Sequence, residues 1–186
     1  MKIFNKAVFL DLNGTLVEPV QVNRLDELNI IPGSLESIAK LNNAGYLTPV
    51  ITVQSRIAKG YFTSEEFYHW FKLFTERAEQ QGAYLQGPYL CPHLVREKCK
   101  CAKPHTFLFN QAVDKLDIDL YKSYMIGDTP VDVFSAVNFG GRGCMVKTGW
   151  GHFRGNIEQV KLIADYIGDN LSDVVRWILE KNKQEL

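Results

Sequence analysis

The chain has 186 residues, of which 46% are hydrophobic, and its 21 Lys and Arg residues are matched by 21 Asp and Glu residues. This length favours one domain, residues 1–186, with a core large enough to bury most of its apolar surface. Because the charges balance, neither nucleic acid nor an anionic membrane is expected as a partner. The short N-terminal apolar stretch reaches Asp11 too early for a signal peptide, and no run is long enough to span a membrane, so we expect a soluble, cytoplasmic protein. A monomer is expected as well.

Helical and strand-like patterns alternate along the chain, which predicts an α/β fold with a parallel sheet covered by helices on both faces. In chain order, the predicted elements are a strand over 7–12, a helix from Ser34 closed by Gly45, a strand over 46–52, a helix over 63–81, a short strand over 84–90, a helix over 105–116, a strand over 123–128, a helix over 132–139, a strand over 143–149 and a helix over 171–181. The segments predicted as irregular or loop are 13–32, 53–62 and 91–104.

Short-range signals bear on several of these boundaries. Thr63 and Glu66 fit a capping box at the start of a helix, and Gly82 fits its end. Pro49 is unfavourable in the second strand, because a central strand needs the N–H group that proline lacks. The aromatic residues of segment 150–153, after the last predicted strand, are assigned to core or surface packing rather than to function.

Polar or charged residues follow the predicted strands where each strand ends. Asp11, Thr52 and Asp128 end three strands, and Lys103 follows the cysteine-containing loop. Because the carboxyl ends of parallel strands meet at one crevice, we expect these side chains to form one site. Asp11 and Asp128 can hold Mg²⁺, which takes one or two carboxylates and leaves its other positions to water and phosphate. Thr52 can donate to a phosphoryl oxygen, Lys103 can neutralise charge, and Asp11 can attack phosphorus as a nucleophile.

The same residues belong to an ordered set of motifs: Asp11-Leu12-Asn13-Gly14-Thr15, then Thr52, Lys103, and Gly127-Asp128-Thr129-Pro130-Val131-Asp132. From about residue 7 to 150, this set resembles the haloacid dehalogenase (HAD) superfamily of phosphohydrolases, whose signature is D-x-D-G-T, Ser or Thr, Lys and G-D-x-x-x-D. The resemblance implies a HAD-like Rossmannoid fold and hydrolysis of phosphomonoesters through an aspartyl-phosphate on Asp11. It also implies Mg²⁺ bound by Asp11, Asp128 and the backbone carbonyl of Asn13. Asp132 is expected to support that metal site without contacting the ion.

Three of the four cysteines lie within eleven residues, and without a secretory signal this clustering favours a metal over disulfides. The candidate ligands are Cys91, His93, Cys99 and Cys101. Three thiolates and one imidazole suit tetrahedral Zn²⁺ and leave no open coordination position, so the zinc would be structural. It would order a loop that is too short and too polar to fold by burial. The alternative is a set of reduced free cysteines beside a surface histidine.

The metal loop reads C-P-H, five residues, then C-K-C-A-K-P. It resembles the HAD subgroup of D-glycero-D-manno-heptose 1,7-bisphosphate and histidinol-phosphate phosphatases, which carry C-P-H, a spacer and C-x-C-R-K-P; the short spacer is the histidinol-phosphate form. Segment 52–63, TVQSRIAKGYFT, is similar to the heptose enzymes' T-N-Q-S-G-I-A-R-G-Y-F-T, which favours that branch. The resemblance implies a small phosphorylated sugar as substrate, no large cap domain, and an inserted zinc loop (91–103) that shapes the entrance. The substrate-binding residues that it implies are Thr52, Val53, Gln54, Ser55, Arg56 and Lys103.

Four positions depart from the subgroup pattern. This chain has Asn13 where the subgroup has Asp, Val53 where it has Asn, Arg56 where it has Gly, and Ala102 where it has Arg. In the family, the residue at position 13 protonates the leaving oxygen and then activates water, and such proton transfer contributes about 10²–10⁴ in rate. Asn13 keeps its backbone carbonyl for Mg²⁺, so metal and phosphate binding are expected to survive while catalysis weakens. Arg56 adds a cation that can partly replace the charge missing at Ala102.

Three origins of Asn13 are open: natural divergence, an engineered substitution that traps substrate, and deamidation of the Asn-Gly pair to a carboxylate. Natural divergence is favoured, because one engineered change does not account for the other three departures. The favoured function is a Mg²⁺-dependent phosphatase of sugar phosphates like heptose 1,7-bisphosphate. The alternative is a catalytically impaired phosphosugar-binding or regulatory protein. A phosphatase of nucleic-acid ends is disfavoured by the neutral charge and by the lack of a basic stripe.

Overall fold

The structure, a computed structural model, describes residues 4–94 and 97–184. The strands are β1 (Lys6–Leu10), β2 (Val17–Glu18), β3 (Asn29–Ile30), β4 (Tyr46–Leu47), β5 (Pro49–Val53), β6 (Gln86–Cys91), β7 (Tyr124–Gly127), β8 (Arg142–Val146) and β9 (Tyr166–Gly168). The helices are α1 (Ser34–Asn43), α2 (Ser55–Ala58), α3 (Ser64–Glu79), α4 (Phe107–Leu116), α5 (Pro130–Phe139), α6 (Arg154–Val160) and α7 (Leu171–Gln184). In the two described ranges, no helix is long and apolar enough to cross a membrane.

The main sheet has the strand order β6-β5-β1-β7-β8-β9, with β4 also paired to β1. Its pairs are parallel, as predicted, and Leu10 of β1 lies opposite Val50 of β5 on one side and Ile126 of β7 on the other. The chain builds outward from β1 to β5 and β6, then returns to build β7, β8 and β9 on the other side. The strand order therefore reverses at β1, and the carboxyl ends of β5, β1 and β7 border the crevice where open α/β sheets bind ligands.

Apolar residues of the central strands alternate between the two faces of the sheet. In β1, Val8 and Leu10 pack in the cluster that contains α1, α3 and α7, whereas Ala7 and Phe9 pack with α4 and α5. The Phe9 ring lies 5.1 Å from that of Phe109, edge to face. Because β1 is buried on both faces, the residue that follows it has a fixed position.

The predicted strand 46–52 is divided in the structure, and Pro49 is the reason. Between β4 and β5, Thr48 donates from its backbone N–H to Gln86 Oε1 at 2.7 Å and from its hydroxyl to the carbonyl of Tyr84 at 2.6 Å. Pro49 is the first residue of β5, and the register against β6 shifts between Pro49 and Ile51. The missing N–H thus falls at an irregular point of the ladder, where proline is tolerated.

The sequence patterns missed several short elements. The β2–β3 hairpin lies in the stretch predicted as irregular, α2 lies in the segment predicted as loop, and neither α6 nor β9 was predicted. Elements of two to seven residues are too short to show a hydrophobic period. The additions that follow β1 and β5 near the crevice, the hairpin and α2, are small, in line with the expected lack of a large cap domain.

Candidate active site and metal centre

A cavity of about 260 Å³ opens at the carboxyl ends of β1, β5 and β7. The predicted site residues that line it are Asp11, Asn13, Thr52, Val53, Gln54, Ser55, Arg56, Lys103 and Asp128. Asp132 does not line the cavity, but it contacts the lining residue Lys103. The structure thus brings together side chains that are far apart in sequence at the edge of the sheet where they were expected.

Lys103 joins two carboxylates at the base of the cavity. Its Nζ donates to Asp11 Oδ1 and to Asp132 Oδ1, in both cases at 2.5 Å, and its side chain is only 6% exposed. Burial disfavours the ammonium, but the charges and hydrogen bonds of the two carboxylates outweigh burial and raise the pKa of Lys103. Lys103 is therefore a fixed cation beside the predicted nucleophile.

The carboxylates of this site carry more negative charge than Lys103 offsets. Burial raises the pKa of Asp11 to about 6, although Lys103 acts in the opposite direction. Burial also raises the pKa of Asp128 to about 8, and the charges of Asp11 and Asp132 add to the effect. A divalent cation bound by Asp11 and Asp128 would supply the missing positive charge, and oxygen ligands of this kind suit Mg²⁺. The donor set therefore fits magnesium.

Two glycines make room for the Asp128 carboxylate. Its Oδ2 accepts a hydrogen bond from the backbone N–H of Trp150 at 2.7 Å. A Cβ atom would lie 2.2 Å from this oxygen if built on Gly14 and 2.1 Å if built on Gly149, and both glycines have positive φ. Gly149 was not predicted as a site residue from the sequence. Its position at the end of the predicted strand 143–149 was the feature that could have indicated a place near the site.

Asn13 is held in place by Gln54. The Gln54 Nε2 group donates to Asn13 Oδ1 at 2.7 Å and to the Thr52 hydroxyl oxygen at 2.9 Å. The side-chain oxygen of Asn13 thus accepts a hydrogen bond within the protein. The side-chain NH₂ group is the part left to face a substrate. An amide N–H can donate a hydrogen bond to a phosphoryl or leaving oxygen but cannot transfer its proton at neutral pH.

Asp132 contacts both Lys103 and the start of α5. Its Oδ2 accepts from the backbone N–H of Thr129 at 3.1 Å and from the Thr129 hydroxyl at 2.7 Å, which closes a capping box at the start of α5. Its Oδ1 accepts from Lys103. The observed contacts of this fully buried carboxylate therefore orient Lys103. Its expected support of a magnesium site stays a prediction.

Several residues that line the cavity were not predicted from the sequence: Val20, Gln21, Val22, Thr129, Val131 and Trp150. Ala102, which was noted as a departure from the subgroup pattern, lines the cavity as well. Val20, Gln21 and Val22 lie in the stretch between β2 and β3, which carries no periodic pattern. Trp150 was assigned to packing. It does stack on Phe153, with ring centroids 5.4 Å apart, but it also lines the cavity.

The predicted zinc ligands converge at the end of β6. The Cys91 sulfur lies 3.0 Å from that of Cys101 and 3.5 Å from that of Cys99, and His93 Nδ1 lies 3.1 Å from the Cys101 sulfur. All four ligand atoms lie within 4.8 Å of one another, and the cysteines are free of disulfides. Zinc–sulfur bonds of about 2.3 Å place tetrahedral ligand atoms about 3.8 Å apart. The cluster can therefore close around a single ion, and its soft donors fit Zn²⁺.

Residues 100–174 match the HAD-hydrolase-like family model. The D-glycero-beta-D-manno-heptose-1,7-bisphosphate 7-phosphatase of Haemophilus ducreyi is 34% identical over 184 residues, which cover 93% of this chain and 98% of the relative. The enzyme of the same name from Haemophilus influenzae is 32% identical. The alignment covers 97% of this chain and 100% of the relative.

Solved structures are similar over nearly the whole chain. The D,D-heptose 1,7-bisphosphate phosphatase of B. bronchiseptica, solved with magnesium and phosphate, has a TM-score of 0.84 and 26% sequence identity, over 95% of this chain and 99% of that one. The corresponding enzyme of Burkholderia thailandensis has a TM-score of 0.69 and 26% identity, over 94% and 98% of the two chains.

Proposed function

The chain belongs to the HAD-like hydrolases, in the family of the D-glycero-beta-D-manno-heptose-1,7-bisphosphate 7-phosphatases, and from this membership we propose a Mg²⁺-dependent phosphatase of sugar phosphates like heptose 1,7-bisphosphate. The observation that carries the proposal is the position of Asp11, at the end of β1 and 2.5 Å from Lys103, in a cavity that also contains Thr52 and Asp128. A nucleophile, a fixed cation, a hydroxyl donor and a second carboxylate are the groups that phosphoryl transfer requires.

The proposed reaction has two steps. First, a carboxylate oxygen of Asp11 attacks phosphorus, the bond between phosphorus and the sugar oxygen breaks, and that oxygen takes a proton from water. Second, water attacks the phosphorus of the aspartyl-phosphate, which releases inorganic phosphate and restores the Asp11 carboxylate. In both steps Thr52 donates its hydroxyl to a phosphoryl oxygen and Lys103 offsets the negative charge.

The magnesium ion would be held by Asp11, Asp128 and the backbone carbonyl of Asn13, and it would offset the repulsion between the attacking carboxylate and the phosphate. Burial of Asp11 and Asp128 next to one another is the structural feature that supports this assignment. The Zn²⁺ site of Cys91, His93, Cys99 and Cys101 would be structural, because its donors fill all four positions of a tetrahedral ion.

Asn13 sets the rate of the proposed reaction. Because its amide cannot transfer a proton at neutral pH, the sugar oxygen leaves without general-acid assistance, which is worth about 10²–10⁴ in rate. The contact with Gln54 holds the Asn13 side chain by its oxygen, and an aspartate carboxylate can accept the same hydrogen bond. Replacement of Asn13 by Asp therefore completes the site without disturbing its neighbours.

The test is Mg²⁺-dependent phosphate release from a panel of sugar bisphosphates by the native protein and by Asn13→Asp, after intact mass and a peptide map establish residue 13. We expect Asn13→Asp to gain about 10²–10⁴ on sugar phosphates. The gain should be smaller on p-nitrophenyl phosphate, whose leaving group needs no proton. Asp11→Ala should be inactive on both.

The second candidate is a phosphosugar-binding protein without turnover, which the Asn13 side chain favours. It predicts that neither the native protein nor Asn13→Asp releases phosphate from any ester, while both bind sugar phosphates. Mass spectrometry of the native protein after exposure to p-nitrophenyl phosphate separates the two candidates. A phosphatase accumulates phosphate on Asp11, since the second step lacks a base, and a binding protein does not.

A further inference from the structure

The cavity contains a second cation, Arg56, whose charge has no acidic partner within the described ranges. Its Nη2 donates to Gln21 Oε1 at 3.0 Å, and its Cζ lies 4.7 Å from the centre of the Tyr61 ring. Both partners are neutral, so the guanidinium keeps its full positive charge. Lys103 differs in this respect, because two carboxylates neutralise it.

The two contacts fix the orientation of Arg56. One guanidinium nitrogen is tied to Gln21, and the aromatic ring of Tyr61 supports the guanidinium plane. The side chain is half-buried and lines the same cavity as Asp11 and Lys103. The remaining N–H groups of a guanidinium held in this way form a planar fork, which matches the oxygens of a phosphate better than a lysine ammonium does.

The charged groups at the base of the cavity can receive only one phosphoryl group. The carboxylates of Asp11, Asp128 and Asp132 outnumber the single cation Lys103, and a divalent cation would neutralise the excess negative charge. The phosphoryl group under attack is then received by Lys103 and Thr52. A second phosphate on the same substrate would need a cation of its own, and Arg56 is the lining residue that supplies one.

We propose that Arg56, held by Gln21 and Tyr61, binds a second phosphate of the substrate, distal to the one that is hydrolysed. The site then selects sugar bisphosphates over the corresponding monophosphates. The proposal rests on the proposed function, since the distal phosphate is defined by the one that Asp11 attacks. The subgroup pattern has Gly at position 56, so this contact belongs to this chain's own loop.

The test compares the 1,7-bisphosphate and the 7-monophosphate of one heptose on the native protein and on Arg56→Gln. Affinity is measured by calorimetry in Mg²⁺, and phosphate release is measured in parallel. Arg56→Gln should weaken binding and kcat/KM for the bisphosphate by about 10- to 100-fold, the effect of one charged hydrogen-bonding group. Values for the monophosphate, and binding of inorganic phosphate, should not change.

Lys59→Gln is the matched control, because Lys59 is an exposed cation just after α2 that does not line the cavity. It should leave every value unchanged. An equal loss on both sugars in Arg56→Gln, or no loss on either, overturns the proposal. If the native protein releases no phosphate from any ester, the proposed function fails, and the calorimetric comparison still decides the role of Arg56.

Discussion

At the scale of single residues, the site depends on buried charges that are tolerable only together. Lys103 lies between Asp11 and Asp132, and each of the three is almost fully withdrawn from water. Removal of one partner from such a group leaves the others buried without compensation, which costs more than the pair contributes. Substitutions here should therefore affect stability and chemistry in the same variant.

Asp132→Asn tests this coupling. The amide keeps the shape of the carboxylate but loses the charge that faces Lys103 and the second acceptor used by Thr129. We expect a loss of about 2–4 kcal/mol in the free energy of unfolding, measured by urea denaturation, together with slower phosphate release. Asp169→Asn removes a similar contact, to Lys147 at the exposed surface, and should change little. An unfolding midpoint unchanged in both variants would contradict the argument.

Gly149→Ala displaces the Asp128 carboxylate. The new Cβ would lie 2.1 Å from Asp128 Oδ2 and 2.6 Å from the Cα of Gly14, so the carboxylate must move away from where it accepts from Trp150 and the Gly14 turn must shift with it. We expect a rise of about tenfold or more in the Mg²⁺ concentration needed for half-maximal activity, because misplaced groups lose much of their effect. Gly155→Ala is the control, since nothing lies within 4 Å of its Cβ position. Equal magnesium dependence in both variants would contradict the proposed role of Asp128 as a ligand held in this position.

At the scale of elements, the segment from Cys91 to Lys103 connects the metal cluster to the active site. Cys91 ends β6 and is fully buried, and Cys99 and Cys101 pack against the core between the sheet and α4. Lys103 follows Cys101 by two residues. An ion that ties the cysteines together thus fixes the point from which Lys103 reaches Asp11.

Loss of the proposed zinc should therefore reduce activity, although we propose only a structural role for that ion. Cys99→Ser should lower the zinc content measured by elemental analysis and slow phosphate release by about 10- to 100-fold, because Lys103 is no longer held in register with Asp11. Cys144→Ala, a buried cysteine of β8 outside the cluster, should keep its zinc. Full activity in a zinc-free Cys99→Ser protein would show that the metal cluster is not needed to position Lys103.

At the scale of the whole molecule, the parallel sheet and the order of the polar residues that follow its strands could be predicted from the sequence. Buried strands and amphipathic helices carry local signals, and the motif around Asp11 and the one ending in Asp132 occur in family order. The HAD resemblance is confirmed by relatives more than 30% identical over nearly the whole chain. The helix capping box of Thr63 and Glu66 is confirmed as well.

What could not be predicted depends on contacts between distant segments. The Lys103–Asp132 contact and the approach of Gly149 to Asp128 arise only when the sheet brings these loops to one edge. The same holds for the contact of Arg56 with Gln21, whose segment has no period of its own. Local patterns specify which residues end the strands, and the fold decides which of those residues touch.

The carboxylates of the proposed magnesium site should lower the stability of the folded protein when no cation is bound. Asp128 is buried near Asp11 and Asp132, and burial with this repulsion raises its pKa to about 8. Asp128→Asn removes this buried ionisable group and keeps an oxygen for the backbone N–H of Trp150. In the presence of a chelator, we expect this variant to unfold at a higher temperature than the native protein. The expected gain in the free energy of unfolding is roughly 1–3 kcal/mol.

Magnesium and phosphate should reverse this order. Both ligands bind only the folded site, so each one, at 100 times its dissociation constant, stabilises the native protein by about 2.7 kcal/mol, and the two together exceed the advantage of the variant. Asp128→Asn should gain little, because it has lost one of the two carboxylates proposed to bind the ion. Thermal unfolding of the two proteins, with chelator and with Mg²⁺ plus phosphate, gives the four values needed. If Asp128→Asn is the less stable protein in chelator, the carboxylate cluster is not strained, and its charge is compensated by groups other than a metal.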